Sequence, residues 1–367
     1  MQRGSISQVH QANLFLLSGG GDWPCAIACR EGAVPELRKD PLRSVYCSVS
    51  PPVRLRRRSC TYVPKAATKM YFCFIVEEQY RHDSMPMVIA EQLLQWGHTI
   101  DLLEPSETVT CLSDLASQSY DAYVLKTVSD GPGLSILQAA EAVGIPTINN
   151  SQSISLVRDK TIGTAFAHAQ GLPVPHTYFI AHPRLLRRIP EKDYPLVVKP
   201  SNGSSHRSIY RLNGPADLAK LEIAAPHPCF FLAQHYVENS GYDIKLYVIG
   251  KDVYSVARKS PLHPEVKVEE QLIPLRLEWR KLARRVGEIF GLDIYGLDVV
   301  ETSNGPVVVD INDFPSFGHV PGAVSHVSNY ILHIAEQAKL KRHRKATIEL
   351  ALQPLSTEDL VMGGDQR

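Results

Sequence analysis

The sequence predicts a chain of mixed α/β and α+β type: a small parallel sheet, then a larger region of paired strands flanked by helices. Three observations carry this. From Met70, short apolar strands alternate with helices that stop at glycine. From about residue 151 the alternation gives way to strand–loop–strand pairs. Near the end, "VVVDINDFPSF" (Val307 to Phe317) reads as a buried strand that nevertheless carries Asp310 and Asn312. Strand side chains alternate faces, so these two point the same way, and Asp313 points the other.

A length of 367 residues allows two domains, or three small ones. A formal net charge of +1 gives no global argument for nucleic acid or an anionic membrane. No run of about 18 apolar residues suggests a membrane span. Seven cysteines at irregular spacing match no common zinc pattern and read as free thiols of a cytoplasmic protein. Oligomeric state is left open.

Residues 1–69 stand apart. They hold 11 Lys+Arg against 4 Asp+Glu, a net of +7, and include "RLRRR" (Arg54 to Arg58). No helical or strand period runs through most of the segment. We expect it to lie outside the fold, as an upstream extension, a basic or targeting tail, or a subdomain.

The first domain is expected over 70–150. "MYFCFIV" is a strand, 84–96 a helix closed by Gly97, "HTIDLLE" a strand, "YDAYVLK" a strand, and 133–144 a helix closed by Gly144. This is a Rossmann-like parallel pattern, yet no G-x-G-x-x-G follows its first strand, so it is not a dinucleotide site by that criterion. The second domain is expected over 151–339. Helices at 151–157 and 160–170 lead to "YPLVVKPSNGSSHRSIYRL", a strand, a Gly/Ser loop and a strand. "CFFLAQHYV", "YDIKLYVIG" and "VYSVARKS" follow as strands. Residues 275–290 form a helix with Leu275, Trp279, Leu282, Val286 and Ile289 at helical spacing. "IYGLDVVETSNGPVVVDIND" is a hairpin turning at Asn304-Gly305. A helix over about 325–339 closes the domain, and 340–367 reads as a basic, polar tail.

Centring the last hairpin on Asn304 sets Asp298 opposite Asp310, on the face that carries Asn312. Opposed side chains lie about 4.5–5.5 Å apart at Cβ. Two such carboxylates repel by about 1 kcal/mol in water and by more when partly buried. A cation between them would relieve this, and three oxygen ligands suit Mg²⁺. On this reading Asp310→Asn should leave the metal-free fold intact or firmer. The bland alternative is three polar residues on the wet face of an edge hairpin. Lys199 ends an apolar strand beside a small-residue loop, and Lys160 opens a helix; both are placed to meet phosphate. Asp243, Lys245 and Tyr247 share one strand face, with Arg258 and Lys259 across the next turn.

Together, "LVRDK" (156–160), "LVVKPSNGS" (196–204), "AQHYVENSGYDIKLYVIG" (233–250), "YGLDVVE" (295–301) and "VVVDINDFPSF" resemble the ATP-grasp superfamily, and most closely RimK-type amino-acid ligases. The resemblance spans about 150–335, with 70–150 matching the smaller pre-ATP-grasp domain. It implies two α+β lobes with ATP between them. Lys160 and Lys199 would bind ATP phosphates under a loop containing Ser201, Gly203 and Ser204. Gln234, His235, Tyr236 and Val237 would form the hinge that meets adenine, and Asp243 and Lys245 would join the nucleotide site. Asp298, Asp310 and Asn312 would hold Mg²⁺, two ions in the usual arrangement, with Mn²⁺ able to substitute. Arg258, with Lys199, would serve catalysis.

The chain departs from the family in three places. His235 stands where many relatives have Glu. Gly203 is the only glycine of the phosphate loop. The metal strand ends "DINDFPSF" where RimK-type ligases have a Glu and an Asn-x-Ser-Pro-Gly run. That ending, and "LKTVSD" (125–130), are like inositol polyphosphate kinases of the same fold. The expected function is an ATP-dependent carboxylate–amine ligase acting on small-molecule or peptide substrates through an acyl phosphate. Two alternatives are a kinase of an inositol phosphate or similar polyol, and a nucleotide-binding module without turnover.

Overall fold

A computed structural model describes residues 68–82, 84–127, 131–201, 209–218 and 230–351. The expectations for 1–67, for Gly203 and Ser204, and for the second half of "LKTVSD" (128–130) fall outside these residues.

Four strands, β1 (Tyr71–Val76), β2 (Thr99–Leu103), β3 (Ala122–Lys126) and β4 (Thr147–Ile148), form a parallel sheet in the order β2-β1-β3-β4. Helices α1 (Ser84–Gln95) and α2 (Pro132–Ala142) connect them, as a parallel sheet requires. β1 and β3 are buried almost throughout, which is why they read as continuous apolar runs.

Helix α3 (Ser151–Arg158) starts because Asn150 Oδ1 accepts from the N–H groups of Gln152 and Ser153. Asp159 does the same for α4 (Lys160–Ala169), accepting from Thr161 and Ile162. A single Asp therefore ends one helix and caps the next, leaving Lys160 as the first residue of α4.

The next sheet has four antiparallel strands in the order β5-β8-β6-β7: β5 (Thr177–Ile180), β6 (Leu196–Pro200), β7 (Tyr210–Leu212) and β8 (Phe231–His235). The largest sheet has five, in the order β11-β10-β9-β12-β13: β9 (Tyr242–Ile249), β10 (Asp252–Lys259), β11 (Gln271–Ile273), β12 (Ile294–Thr302) and β13 (Gly305–Asn312). Alternation assigns its two faces. Ile244, Leu246, Val248, Leu297 and Val299 pack against α5 (Leu277–Phe290) through Trp279, Leu282, Val286 and Phe290. Each such side chain contributes about 1.5–3 kcal/mol by leaving water. Gly291 ends α5 at φ +68°, a left-handed cap that suits glycine. The opposite face carries the charged residues.

Two differences from expectation concern the chain's last elements. The hairpin turns at Ser303-Asn304, because Thr302 pairs with Gly305, and not at Asn304-Gly305. A bulge then inserts Val309 between the pairs Val299–Val308 and Asp298–Asp310. The early turn and the extra residue offset each other, so Asp310 still lands opposite Asp298. The last helix, α6, runs Ala323–Ala351, well past residue 339. No glycine or proline interrupts 323–351, and nothing in that stretch stops a helix.

Candidate functional site

Cross-strand register assembles a charged patch on one face of the five-stranded sheet. Arg258, Asp243 and Val300 form one row across β10, β9 and β12. Val256, Lys245, Asp298 and Asp310 form the next, reaching β13. Tyr247, Gly296 and Asn312 form a third. Gly296 leaves little room there: a Cβ would lie 3.1 Å from Lys245 Cε and 3.2 Å from Pro315 Cγ.

Two carboxylates set side by side would repel, but lysines neutralise both. Lys160 Nζ donates to Asp310 Oδ1. Lys245 Nζ grips Asp298 at 2.8 and 2.9 Å, and Asn312 Nδ2 lies 3.3 Å from Asp298 Oδ2. Lys199, on β6 of the facing sheet, donates to Val309 O at 2.6 Å. That carbonyl belongs to the bulged residue, which has no ladder partner of its own. Burial alone would raise the Asp310 carboxyl, yet the charges of Lys160 and Lys199 hold it well below the usual carboxylate range. Burial lowers Lys199 to about 8, against the pull of Asp310. The expectation that losing one carboxylate firms the metal-free fold is therefore overturned, since Asp310 stabilises two cations. Lys160, Lys199 and Lys245 outnumber the carboxylates they contact, Asp298 and Asp310, so this end of the site suits a polyphosphate.

Between the two sheets lies a cavity of about 260 Å³. Lys160, Lys199, Asp298 and Asp310 line its polar end; Val197, Ile209, Leu262, Val300 and Val309 give it apolar walls. Gln234, His235, Tyr236 and Val237 line it where β8 leaves the smaller sheet, and Asp243 and Arg258 line it too. Lys245 and Asn312 reach it only through Asp298. Ser201 is buried and bonds Thr161 at 2.7 Å between hydroxyls, tying β6 to α4. An apolar slot ending in convergent charges is the usual shape of a site for a ligand with a flat and an ionic end.

The hinge has its own constraints. Tyr236 N–H donates to Pro195 O at 2.8 Å and is not presented to the cavity. The His235 ring lies 4.6 Å from His176, and its Nε2 is 3.9 Å from Asp193. His235 thus belongs to an aromatic stack where a glutamate would bring a charge. Burial raises Asp243 to about 6, with the Ser260 hydrogen bond opposing and the Asp298 charge adding. Arg258 is held loosely, 4.0 Å from Glu270.

Asp313 is not a surface residue of the opposite face. It is 1% exposed, and Arg158 Nε lies 2.6 Å from its Oδ1. The apolar wall was only partly legible beforehand. Val300 follows from alternation with Asp298, whereas Ile209 and Leu262 lie on loops with no period to reveal them.

The donor set can be tested against Mg²⁺. Among the described residues, no three His, Cys, Asp or Glu side chains are placed to hold a metal together. Asp298, Asp310 and the Asn312 carboxamide are hard donors with only two charges. Such a set fits Mg²⁺ shared with substrate phosphate and does not fit an all-protein cage.

Residues 157–321 match the family model of the RimK-like ATP-grasp domain. Over this stretch the chain is similar to RimK-like ATP-grasp domains. A protein of Vibrio vulnificus (strain YJ016) named "Probable alpha-L-glutamate ligase" is 24% identical over 254 residues, which are 62% of this chain and 83% of that one. A RimK-domain ATP-grasp protein from Sphaerobacter thermophilus superposes with a TM-score of 0.57 at 18% identity, covering 72% of this chain and 99% of that one. The ATP-grasp ligase PsnB, complexed with minimal precursor, Mg and ADP, gives 0.54 at 19%, covering 72% and 98%. These structures share the ATP-grasp fold with residues of both sheet regions. No helix among the described residues is long and apolar enough to cross a membrane.

Proposed function

We propose that the chain is an ATP- and Mg²⁺-dependent carboxylate–amine ligase that works through an acyl phosphate. The observation that carries this is the pairing of Asp298 with Asp310 among Lys160, Lys199 and Lys245, in a cavity that also has apolar walls. The adenine lies between the apolar walls, beside the hinge Gln234–Val237. The triphosphate runs toward Lys160 and Lys199, with Ser201, Gly203 and Ser204 as further residues that would bind it.

Asp298, Asp310 and Asn312 would hold Mg²⁺, one ion or two, with Mn²⁺ able to replace it. When bound there, the ion would supply charge neutralisation for the transferred phosphoryl group. Arg258 holds the substrate carboxylate or the phosphate it acquires, and Lys245 fixes Asp298 in place. A carboxylate oxygen attacks the γ-phosphorus and ADP leaves. The amine nitrogen then attacks the acyl carbon, gives up a proton, and phosphate departs with the former carboxylate oxygen. No covalent bond to the protein is needed; the chain supplies position and fixed charge. The name of the Vibrio relative and the matched domain support an amino acid or a peptide as substrate, with L-glutamate the first to try.

The reading is tested by product stoichiometry. ADP and free phosphate should appear together, and only when both an acid and an amine are present. A product heavier by one phosphate, with no phosphate released, would make the protein a kinase.

A further inference from the structure

We infer that Lys126, on the first domain's sheet, is a positioning residue for the metal-holding strand. The inference rests on the assignment of Asp310 and Asn312 to Mg²⁺. Lys126 is the last residue of β3 and is buried. Its Nζ donates to the backbone carbonyl of Phe314, 188 residues away and two past Asn312. The same ammonium lies 4.8 Å from the Tyr80 ring centre and 5.5 Å from that of Phe314. Tyr80 follows β1, so both strands at the centre of the parallel sheet deliver a residue to this contact.

The neighbouring residue is pinned as well. Asp313 is buried against Arg158, at the end of α3. β13 is an edge strand, paired on one side only, and it ends at Asn312. Beyond that point no ladder bonds hold the chain, and the next residues pass through Pro315 to Phe317 and His319, both at positive φ (52° and 64°). A backbone in that region is strained for residues other than glycine and keeps its shape only when its surroundings impose it. Lys126 and Arg158 hold the first two residues of this loop, Phe314 and Asp313. A shift of Phe314 would be transmitted directly to Asn312 and, through the strand, to Asp310. The first domain thereby sets the geometry of a site to which it contributes no ligand.

This gives the lysine of "LKTVSD" a role unlike substrate binding, since its ammonium is committed to a backbone carbonyl and two rings. A cation is a good choice for the task. It bonds the carbonyl strongly and is favoured between aromatic faces.

The test compares wild type, Lys126→Met, Lys126→Arg and Asp310→Asn as full chains. Melting temperature is followed with a non-hydrolysable ATP analogue, first in EDTA and then over a Mg²⁺ titration; ATP turnover is titrated with Mg²⁺ in parallel. Groups bonded directly to a metal ligand typically change its affinity about 10–100-fold, and Lys126 acts two residues further along the backbone, so the lower end applies. Lys126→Met should therefore raise the half-saturating Mg²⁺ about tenfold, leave the shift in EDTA unchanged, and be largely rescued by Lys126→Arg. The inference is overturned if Lys126→Met lowers the melting temperature uniformly with wild-type Mg²⁺ dependence. It is equally overturned if the shift in EDTA falls with it. Should Lys126→Met not fold, Lys126→Gln, which keeps a shorter donor, takes its place; a wild-type Mg²⁺ midpoint there refutes the inference. No Mg²⁺ effect in wild type would instead sink the metal assignment itself, whereas an effect lost in Asp310→Asn and intact in Lys126→Met sinks only the role of Lys126.

Discussion

Replacing Asp310 by Asn removes the charge that two half-buried lysines share. The structure gives the size of the effect. Asp310 accepts from Lys160 and lies in the field of Lys199, and both charges act to depress its pKa. Breaking a fully buried ion pair by deleting one partner costs about 3–5 kcal/mol, and this pair is only half-buried. The lower end applies, because Lys199 is already lowered to about 8 and sheds its proton easily. For a folded unit of this size, each kcal/mol moves Tm by about 2–4 °C, so Asp310→Asn should melt about 6–12 °C lower without ligand. Metal-free ATP should bind at least as well as in wild type, since three lysines then face one carboxylate. The Mg²⁺-dependent part of the stabilisation should vanish, and turnover should fall by about 10²–10³ or more. Thermal melts with and without Mg²⁺, in EDTA and with ATP, read all three. An unchanged apo Tm together with wild-type Mg²⁺ dependence would refute both the electrostatics and the metal assignment. Asp313→Asn is no neutral control here, because it strips a buried carboxylate from Arg158.

Other outcomes follow from the same geometry. Lys199 has a folded pKa below its unfolded value, so the unfolded chain binds more protons between about pH 8 and 10.5, and this group's contribution to stability rises with pH across that window. Polyphosphate should restore its proton, so calorimetry of ATP binding at pH 8 in buffers of different ionisation heat should show proton uptake that Lys199→Met abolishes. Asp243 has its folded pKa raised to about 6 by burial, so its contribution is present at low pH and lost as pH rises from about 4 to 6; Asp243→Asn should flatten that part of a stability–pH curve. Gly296→Ala pushes a methyl against Lys245 Cε and Pro315, at a cost of about 1–3 kcal/mol, and should lower turnover by loosening Lys245 from Asp298. Asn149 accepts from Asp293 and Ile294 N–H and donates to Ile294 O, all within 2.8 Å. Asn149→Ala should cost about 3 kcal/mol in denaturant melts, at about 1 kcal/mol per lost bond, with the Mg²⁺ midpoint unmoved.

How much of this could be read beforehand depends on distance along the chain. The Asp298–Asp310 pair was legible because both residues sit on one hairpin, where alternation and a turn suffice. Even so, the register arises from a turn and a bulge that cancel, and only the extra Val309 frees the carbonyl that Lys199 takes. The charge partners were illegible for a simple reason: Lys160 and Asp310 are 150 residues apart, and no periodicity links them. So two carboxylates looked mutually repulsive when each in fact has its own cation. Alternation assigned Asp313 only to the opposite face; that it is buried against Arg158, 155 residues away, could not be read from the strand. The hinge was legible as a stretch, but the N–H of Tyr236 is spent on Pro195, a contact made only once β6 and β8 pair.

The measurement that bears most directly on the central claim is the fate of a carboxylate oxygen. The acid substrate is supplied with heavy oxygen in its carboxylate, together with ATP, Mg²⁺ and the amine, and the released phosphate is weighed. An acyl phosphate requires one labelled oxygen in each phosphate and an amide that retains the other. Unlabelled phosphate, or a label that stays wholly on a phosphorylated product, would contradict the account.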